Sequence, residues 1–220
     1  MKVITDLYEV ESCESILTET FANNTRKWEE TNIESEKAFL KAGYYWMENT
    51  SKSSWNYYKT KSHLKKGDDF IIETAIELEK KEDAFGHFGL VWGFDEERKY
   101  LNRFTLSADG KRALIMHFEK NHHIDFHRFQ TRKLPKIDMK KSVRFSIIKL
   151  EDYFYFFINK VKVYTLQESV FCTKAFFVGY YIEPELSMKS YFFEVKKIKV
   201  KRLEAEEGMQ GLMSVKSCPN

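Results

Sequence analysis

Residues 85–110 read FGHFGLVWGFDEERKYLNRFTLSADG, and the opening half of that stretch decides the fold. Phe88, Leu90, Trp92 and Phe94 fall on one side of an extended chain; His87, Gly89, Val91 and Gly93 fall on the other. Side chains on a strand alternate faces, so this is a strand with one bulky apolar face. The glycines opposite have no side chain to pack, which marks a bend or a close approach by another backbone or a ligand. The chain then turns polar, resumes as a strand over Phe104–Ser107, and closes on the turn pair Asp109-Gly110.

Upstream, Lys65–Asp69 is a turn that introduces Phe70–Glu79, FIIETAIELE. Phe70, Ile72, Thr74, Ile76 and Leu78 share one face, and Ile71, Glu73, Ala75, Glu77 and Glu79 share the other. Gly43–Met47 is a short aromatic strand, and Ser51–Tyr58 a polar, aromatic loop leading into a strand. Phe21–Asn24 with Trp28 is a loop carrying two aromatic anchors, and Val3–Val10 an opening strand. Downstream, Ala113–Glu119 and Ile124–Phe129 form a strand pair. Val143–Leu150, Tyr153–Ile158 and Val161–Thr165 form a meander whose short turns are Glu151-Asp152 and Asn159-Lys160. Phe176–Ile182 and Tyr191–Val200 are the last strands. About ten short strands without a long amphipathic helix predict an all-β antiparallel sandwich or barrel. One domain over residues 1–202 is expected, with 203–220 as a flexible tail.

Composition agrees. Of 220 residues, 43% are hydrophobic and 31% charged, which is globular rather than disordered. Aromatics reach 16%, and they favour pleated, half-buried surfaces. A net charge of +3 is far from the basic footprint of a dedicated nucleic-acid binder. Cys13, Cys172 and Cys218 have no zinc or disulfide-framework spacing, and read as free thiols of a reducing compartment. The N-terminus lacks a signal-peptide pattern, and no apolar run approaches the roughly 18 residues of a membrane span. A cytoplasmic protein without a membrane partner is the expectation.

The order of features resembles the concanavalin A-like lectin/glucanase superfamily, most closely its bacterial single-domain members of the laminin-G and 3-keto-disaccharide-hydrolase type. The matching pieces are Phe21–Asn24 with Trp28, Gly43-Tyr44-Tyr45, Asp69–Glu73 and Gly89–Asp95. Phe104–Gly110, Tyr155–Lys160 and Val178–Ile182 follow in the same order. The resemblance spans residues 15–201 and implies a two-sheet jelly roll with one concave face. It is specific for fold and carries no activity by itself.

Several groups are candidates for chemistry. Glu73, Glu77 and Glu79 share a strand face, and residues two apart lie about 6.6 Å apart. A retaining glycosidase needs two carboxyls about 5–5.5 Å apart. The resemblance implies a Glu-x-Asp-x-x-Glu strand in the laminarinase-like enzymes, and this chain has no such string. His117, His122, His123 and His127 crowd one hairpin, where His123 and His127 would share a face as metal ligands. Calcium is common among the lectin-like members. Asp68-Asp69 and Asp95–Glu97 are the acid clusters that bear on it, and neither has the alternating spacing of a calcium loop. No cofactor is expected.

Aromatic residues are the best candidates for binding, because sugars present C–H faces that stack on rings. Trp46, Trp55, Tyr57, Tyr58, Trp92 and Tyr181 are expected on the concave face, with Arg103 beside them. Trp92 is also a core candidate, sharing its strand face with Phe88, Leu90 and Phe94. The leading expectation is a non-catalytic module that recognises a carbohydrate or protein partner. A glycoside hydrolase-like enzyme is the second reading, and a structural subunit of an intracellular complex the third.

Overall fold

The computed structural model describes residues 13–51, 54–65, 67–79, 86–94, 100–119, 134, 137–167, 177–184 and 186–198. The strands are β1 (Cys13–Glu19), β2 (Thr31–Ile33), β3 (Glu36–Lys41), β4 (Tyr44–Asn49), β5 (Asn56–Lys61), β6 (Phe70–Glu79) and β7 (His87–Phe94). They continue as β8 (Tyr100–Ser107), β9 (Ala113–Glu119), β10 (Val143–Leu150), β11 (Tyr153–Ile158), β12 (Val161–Gln167), β13 (Phe177–Ile182) and β14 (Leu186–Ile198).

They build two antiparallel sheets. The larger runs β12-β11-β10-β6-β14-β4-β3-β2, with β1 also paired to β14; the smaller runs β5-β13-β7-β8-β9. The predicted all-β two-sheet sandwich is therefore the observed architecture. Among the described residues, no helix is long and apolar enough to cross a membrane.

The alternation of β6 and β7 translates directly into burial. Phe70, Ile72 and Ile76 from β6 meet Phe88, Leu90 and Trp92 from β7 in one hydrophobic core. Rings interlock between the sheets: Phe88 with Phe145 at 5.7 Å, Phe104 with Phe156 at 5.1 Å, and Trp92 with Phe156 at 5.9 Å between centroids. Each such buried side chain contributes roughly 1.5–3 kcal/mol before entropy is counted against it. Trp28 closes one end against Phe21, Tyr45, Tyr180 and Phe193, at 5.3–5.5 Å. Its loop is clamped by Asn24, which accepts from the Trp28 N–H at 2.7 Å and donates to the Trp28 carbonyl at 3.0 Å.

The glycines of the deciding stretch do mark a close approach. A Cβ on Gly89 would lie 2.3 Å from the Phe104 carbonyl oxygen. On β13, a Cβ on Gly179 would lie 1.9 Å from the Tyr58 carbonyl oxygen. The turn Asn159-Lys160 has positive φ at both residues (49° and 68°), as a type I′ hairpin requires.

β8 begins at Tyr100 and β14 at Leu186, both ahead of the expected starts, β12 runs on to Gln167, and β1 to β3 are strands beyond those expected. In β14, Ser187 and Ser190 are buried polar residues that interrupt the apolar alternation. Ser190 accepts from the Tyr180 hydroxyl at 2.7 Å, and the register shifts just after it, between Ser190 and Phe192. The expected strands Val3–Val10 and Ile124–Phe129 and the tail 203–220 lie outside the described residues.

Candidate binding face

The outward face of the five-stranded sheet collects three of the six expected aromatic residues, Trp55, Tyr57 and Tyr181. Tyr57 and Tyr181 are direct neighbours across the β5–β13 pairing. Trp55, just ahead of β5, lies 5.7 Å from both rings. Arg103 reaches over from β8, its guanidinium 4.6 Å from the Tyr181 ring centre. Trp55 is 41% exposed, whereas Tyr181 is 1% exposed. Trp55 and half-buried Tyr57 thus form the accessible surface, and Tyr181 is the support beneath them.

Glu183 organises the edge of this platform. It follows β13 at the same parity as Tyr181, so both side chains emerge on one face. Its carboxylate accepts from the Tyr181 hydroxyl at 3.1 Å and from the His87 backbone N–H at 2.8 Å, and His87 Nδ1 lies 3.0 Å away. Arg103 stands 3.9 Å from it. Burial opposes ionisation of Glu183, but the His87 hydrogen bond and charge, the Tyr181 hydroxyl and Arg103 outweigh it and hold its pKa below the ordinary value. For Tyr181, burial raises the phenol pKa well above its usual range; Arg103 opposes that shift and Glu183 adds to it.

Beside the platform opens a cleft of about 400 Å³, lined by Glu29, Glu30, Thr31, Glu36, Trp55, Asn56, Tyr57 and Tyr58. That volume lies within the usual range for small-ligand sites. Glu30 is held by the Leu40 backbone N–H at 3.3 Å and the Asn24 side-chain amide at 3.1 Å. The Tyr58 ring belongs to the core, and its hydroxyl is buried. Burial, and then the Glu36 charge, raise its pKa.

Of the other expected site residues, Tyr58 lines the cleft from the core side, and Trp92 and Trp46 lie elsewhere. Trp92 is fully buried, packed 6.3 Å from Phe154 and 5.9 Å from Phe156, because its strand parity points inward. Tyr58 points inward for the same reason, so neither residue offers a ring face to a ligand from solvent. Trp46 lies on the other sheet, stacked on Phe39 at 6.3 Å, with Lys189 5.3 Å from its ring centre.

Glu73, Glu77 and Glu79 stand on the outward face of the nine-stranded sheet, each with its own contact. Glu73 accepts from Arg144 at 3.2 Å and Ser146 at 3.0 Å, Glu77 from Tyr191 at 3.1 Å, and Glu79 pairs with Lys189. His117 is buried, its Nδ1 2.6 Å from the Asn102 side-chain oxygen. His122, His123, His127 and Asp95–Glu97 lie outside the described residues. Asp68 meets Lys197 at 2.5 Å, and Asp69 meets Lys149 at 3.1 Å, as turn ion pairs do. Among the described residues, no group of three or more His, Cys, Asp or Glu is placed to hold a metal ion.

Sequence reading did not single out Glu183 or the cleft acids Glu29, Glu30 and Glu36. Parity signals Glu183, the next outward position after Tyr181. Nothing in the sequence marks Glu29 and Glu36 as neighbours of Trp55, because β4 and the loop after it separate them.

No protein-family model matches the chain, and no curated protein sequence matches it. Solved structures do. The carbohydrate-binding module CBM66 of Bacillus subtilis aligns at 18% identity and a TM-score of 0.54, over 79% of this chain and 97% of that one. The endo-β-1,3-glucanase of Pyrococcus furiosus aligns at 10% identity and a TM-score of 0.61, over 85% and 95%. The CBM2 module of the evolved Dit protein of Lactobacillus casei BL23 phage J-1 aligns at 12% identity and a TM-score of 0.58, over 86% and 97%. Binding modules and enzymes both appear, at identities that speak for architecture alone. The chain has an all-β, two-sheet jelly-roll fold, the architecture it shares with these structures.

Proposed function

We propose that the protein is a non-catalytic carbohydrate-binding module whose contact surface is Trp55 and Tyr57 at the mouth of the Glu29–Glu36 cleft. One observation carries the reading: an exposed tryptophan is held against two tyrosines beside a cleft of about 400 Å³ with hydrogen-bonding side chains in its wall. A sugar ring needs this combination, an apolar plate for its C–H face and polar groups around its rim. Carbohydrate-binding modules among the structural neighbours support the reading at the level of the scaffold. Tyr181, Arg103 and Glu183 are positioning residues that hold the plate.

The test is calorimetric titration of the full chain with a panel of neutral, cationic and anionic oligosaccharides, alongside Trp55→Ala, with chromatography of the sugars afterwards. Saturable binding that Trp55→Ala removes, with the oligosaccharides intact, is the expected result. Cleavage of any oligosaccharide would replace the module with a hydrolase, and binding to none would move the assignment to a protein partner.

A further inference from the structure

Tyr57, Lys59 and Lys61 stand on the outward face of β5, and the β5–β13 register sets them opposite Tyr181, Gly179 and Phe177. Strand alternation spaces them about 6.6 Å apart in one row along the sheet's edge. Because Gly179 has no side chain, Lys59 reaches across that position. Its ammonium lies 5.6 Å from the Tyr57 ring centre and 5.1 Å from the Phe177 ring centre. The Lys61 ammonium lies 5.8 Å from the Phe177 ring centre. A ring face holds a cation in place without cancelling its charge. Arg103 adds a further cation against Tyr181, from the β8 side. Among the described residues, the carboxylate on this face is Glu183, which the Tyr181 hydroxyl, the His87 N–H and Arg103 already engage. Glu29, Glu30 and Glu36 come from β3 and the loop before β2, so they line the cleft and not this sheet.

Resting on the carbohydrate-binding reading above, we infer that the platform selects acidic glycans, those carrying a carboxylate or sulfate on the sugar ring. One sugar ring stacks on Trp55 and Tyr57. Its hydroxyls turn to the cleft, whose carboxylates accept hydrogen bonds, and its acid group turns the other way, to the Lys59 ammonium. The glycan continues along β5, where Lys61 meets the next acid group. A neutral sugar of the same length gains the stacking but not the ion pairing. A DNA strand offers the negative charge without a hydroxyl-rich rim for the cleft carboxylates.

The experiment titrates the full chain with oligogalacturonate and its methyl-esterified counterpart of equal length, and with a sulfated oligosaccharide and its desulfated counterpart. A single-stranded oligodeoxynucleotide is the competing polyanion, and each titration is run at low and high salt. At least one acidic sugar is expected to bind about ten-fold tighter than its neutral counterpart, an advantage that shrinks with salt. Which pair shows it separates carboxylate from sulfate. The double variant K59Q/K61Q, checked for an unchanged melting temperature, is expected to bring the ratio close to one, whereas K59R/K61R keeps it. Equal or better binding of the neutral sugars by the wild type overturns the acid preference and leaves the carbohydrate module standing. An advantage that survives in K59Q/K61Q overturns the assignment to the β5 lysines. A wild type that binds the oligodeoxynucleotide and no sugar, or none of the five probes, overturns both readings.

Discussion

The Arg103 guanidinium lies 4.6 Å from the ring centre of Tyr181, although strand β7 runs between the strands that carry them. Tyr181 is paired in register with Gly89 of β7, and Arg103 with Val91. With no side chain at Gly89, the ring and the guanidinium meet above the intervening backbone. Such contacts contribute about 0.5–2 kcal/mol depending on desolvation. Their larger effect here is geometric, because Trp55 rests on the same ring.

Under the proposed function, Tyr181→Leu acts on ligand binding through Trp55. It is expected to weaken glycan affinity about ten-fold, comparable to a lost aromatic contact. Trp55→Ala is expected to lose at least as much while costing about 1 kcal/mol or less in stability. Calorimetric titration with parallel urea unfolding of both variants checks this. If Tyr181→Leu leaves affinity at the wild-type value, Trp55 does not depend on the ring below it.

Trp92 plays a purely internal part. Trp92→Ala is expected to cost about 3–5 kcal/mol of stability, the usual range for emptying an aromatic core position. Urea unfolding measures it, and Trp92→Phe is expected to recover most of the loss.

Gly179 is the close contact between β13 and edge strand β5. Gly179→Ala sets a methyl group 1.9 Å from the Tyr58 carbonyl oxygen, so one backbone must give way. The expected cost is about 1–3 kcal/mol or more, concentrated on β5. Amide hydrogen exchange is expected to rise across residues 56–61 before it rises in β10 or β11.

Glu183 gives the binding face a pH dependence. Its folded pKa sits below the ordinary 4.5, so the unfolded chain binds a proton more readily than the folded one. By linkage, its stabilising contribution is complete above that ordinary value and is lost as pH falls through the lower folded value. Glu183→Gln is expected to flatten this part of the stability profile and leave the rest, where Asp68 and Asp109 are also held low, intact. Thermal melts from neutral pH into the acid range read it directly.

Glu73 sits with its Arg144 and Ser146 donors on the sheet away from the proposed platform. Glu73→Gln is expected to cost about 1–3 kcal/mol, because a buried carboxylate holding charged donors is replaced by a neutral amide. Glycan affinity is expected to stay at the wild-type value. A fall in affinity with an unchanged melting temperature would relocate the site to that sheet.

The strands that read clearly are those whose inward positions are mostly apolar. β6, β7 and β10 to β12 alternate against a continuous core, and the chain shows it. The first half of β14 hides because Ser187 and Ser190 occupy buried positions, where Ser190 meets the Tyr180 hydroxyl rather than an apolar partner. β3 hides because it lies near the sheet's edge and Ala38 is its one fully buried residue. The site was legible where sequence-local chemistry made it, in the Trp55–Tyr57 segment. The cleft was not, since Glu29 and Glu36 meet Trp55 only after the sheets close, and before that they read as ordinary surface charge.

β14 also sets a timetable for synthesis. It is flanked by β6 on one side and by β4 and β1 on the other, so it is the seam that joins distant parts of the larger sheet. In the smaller sheet, β13 likewise bridges β5 to β7. A nascent chain leaving the ribosome holds β1, β4, β5 and β6 with open edges until residues 177–198 emerge. Such edges template pairing with other chains. Those early edges stay unpaired for most of the chain's length, which makes the interval before β13 and β14 form the one most exposed to pairing between chains.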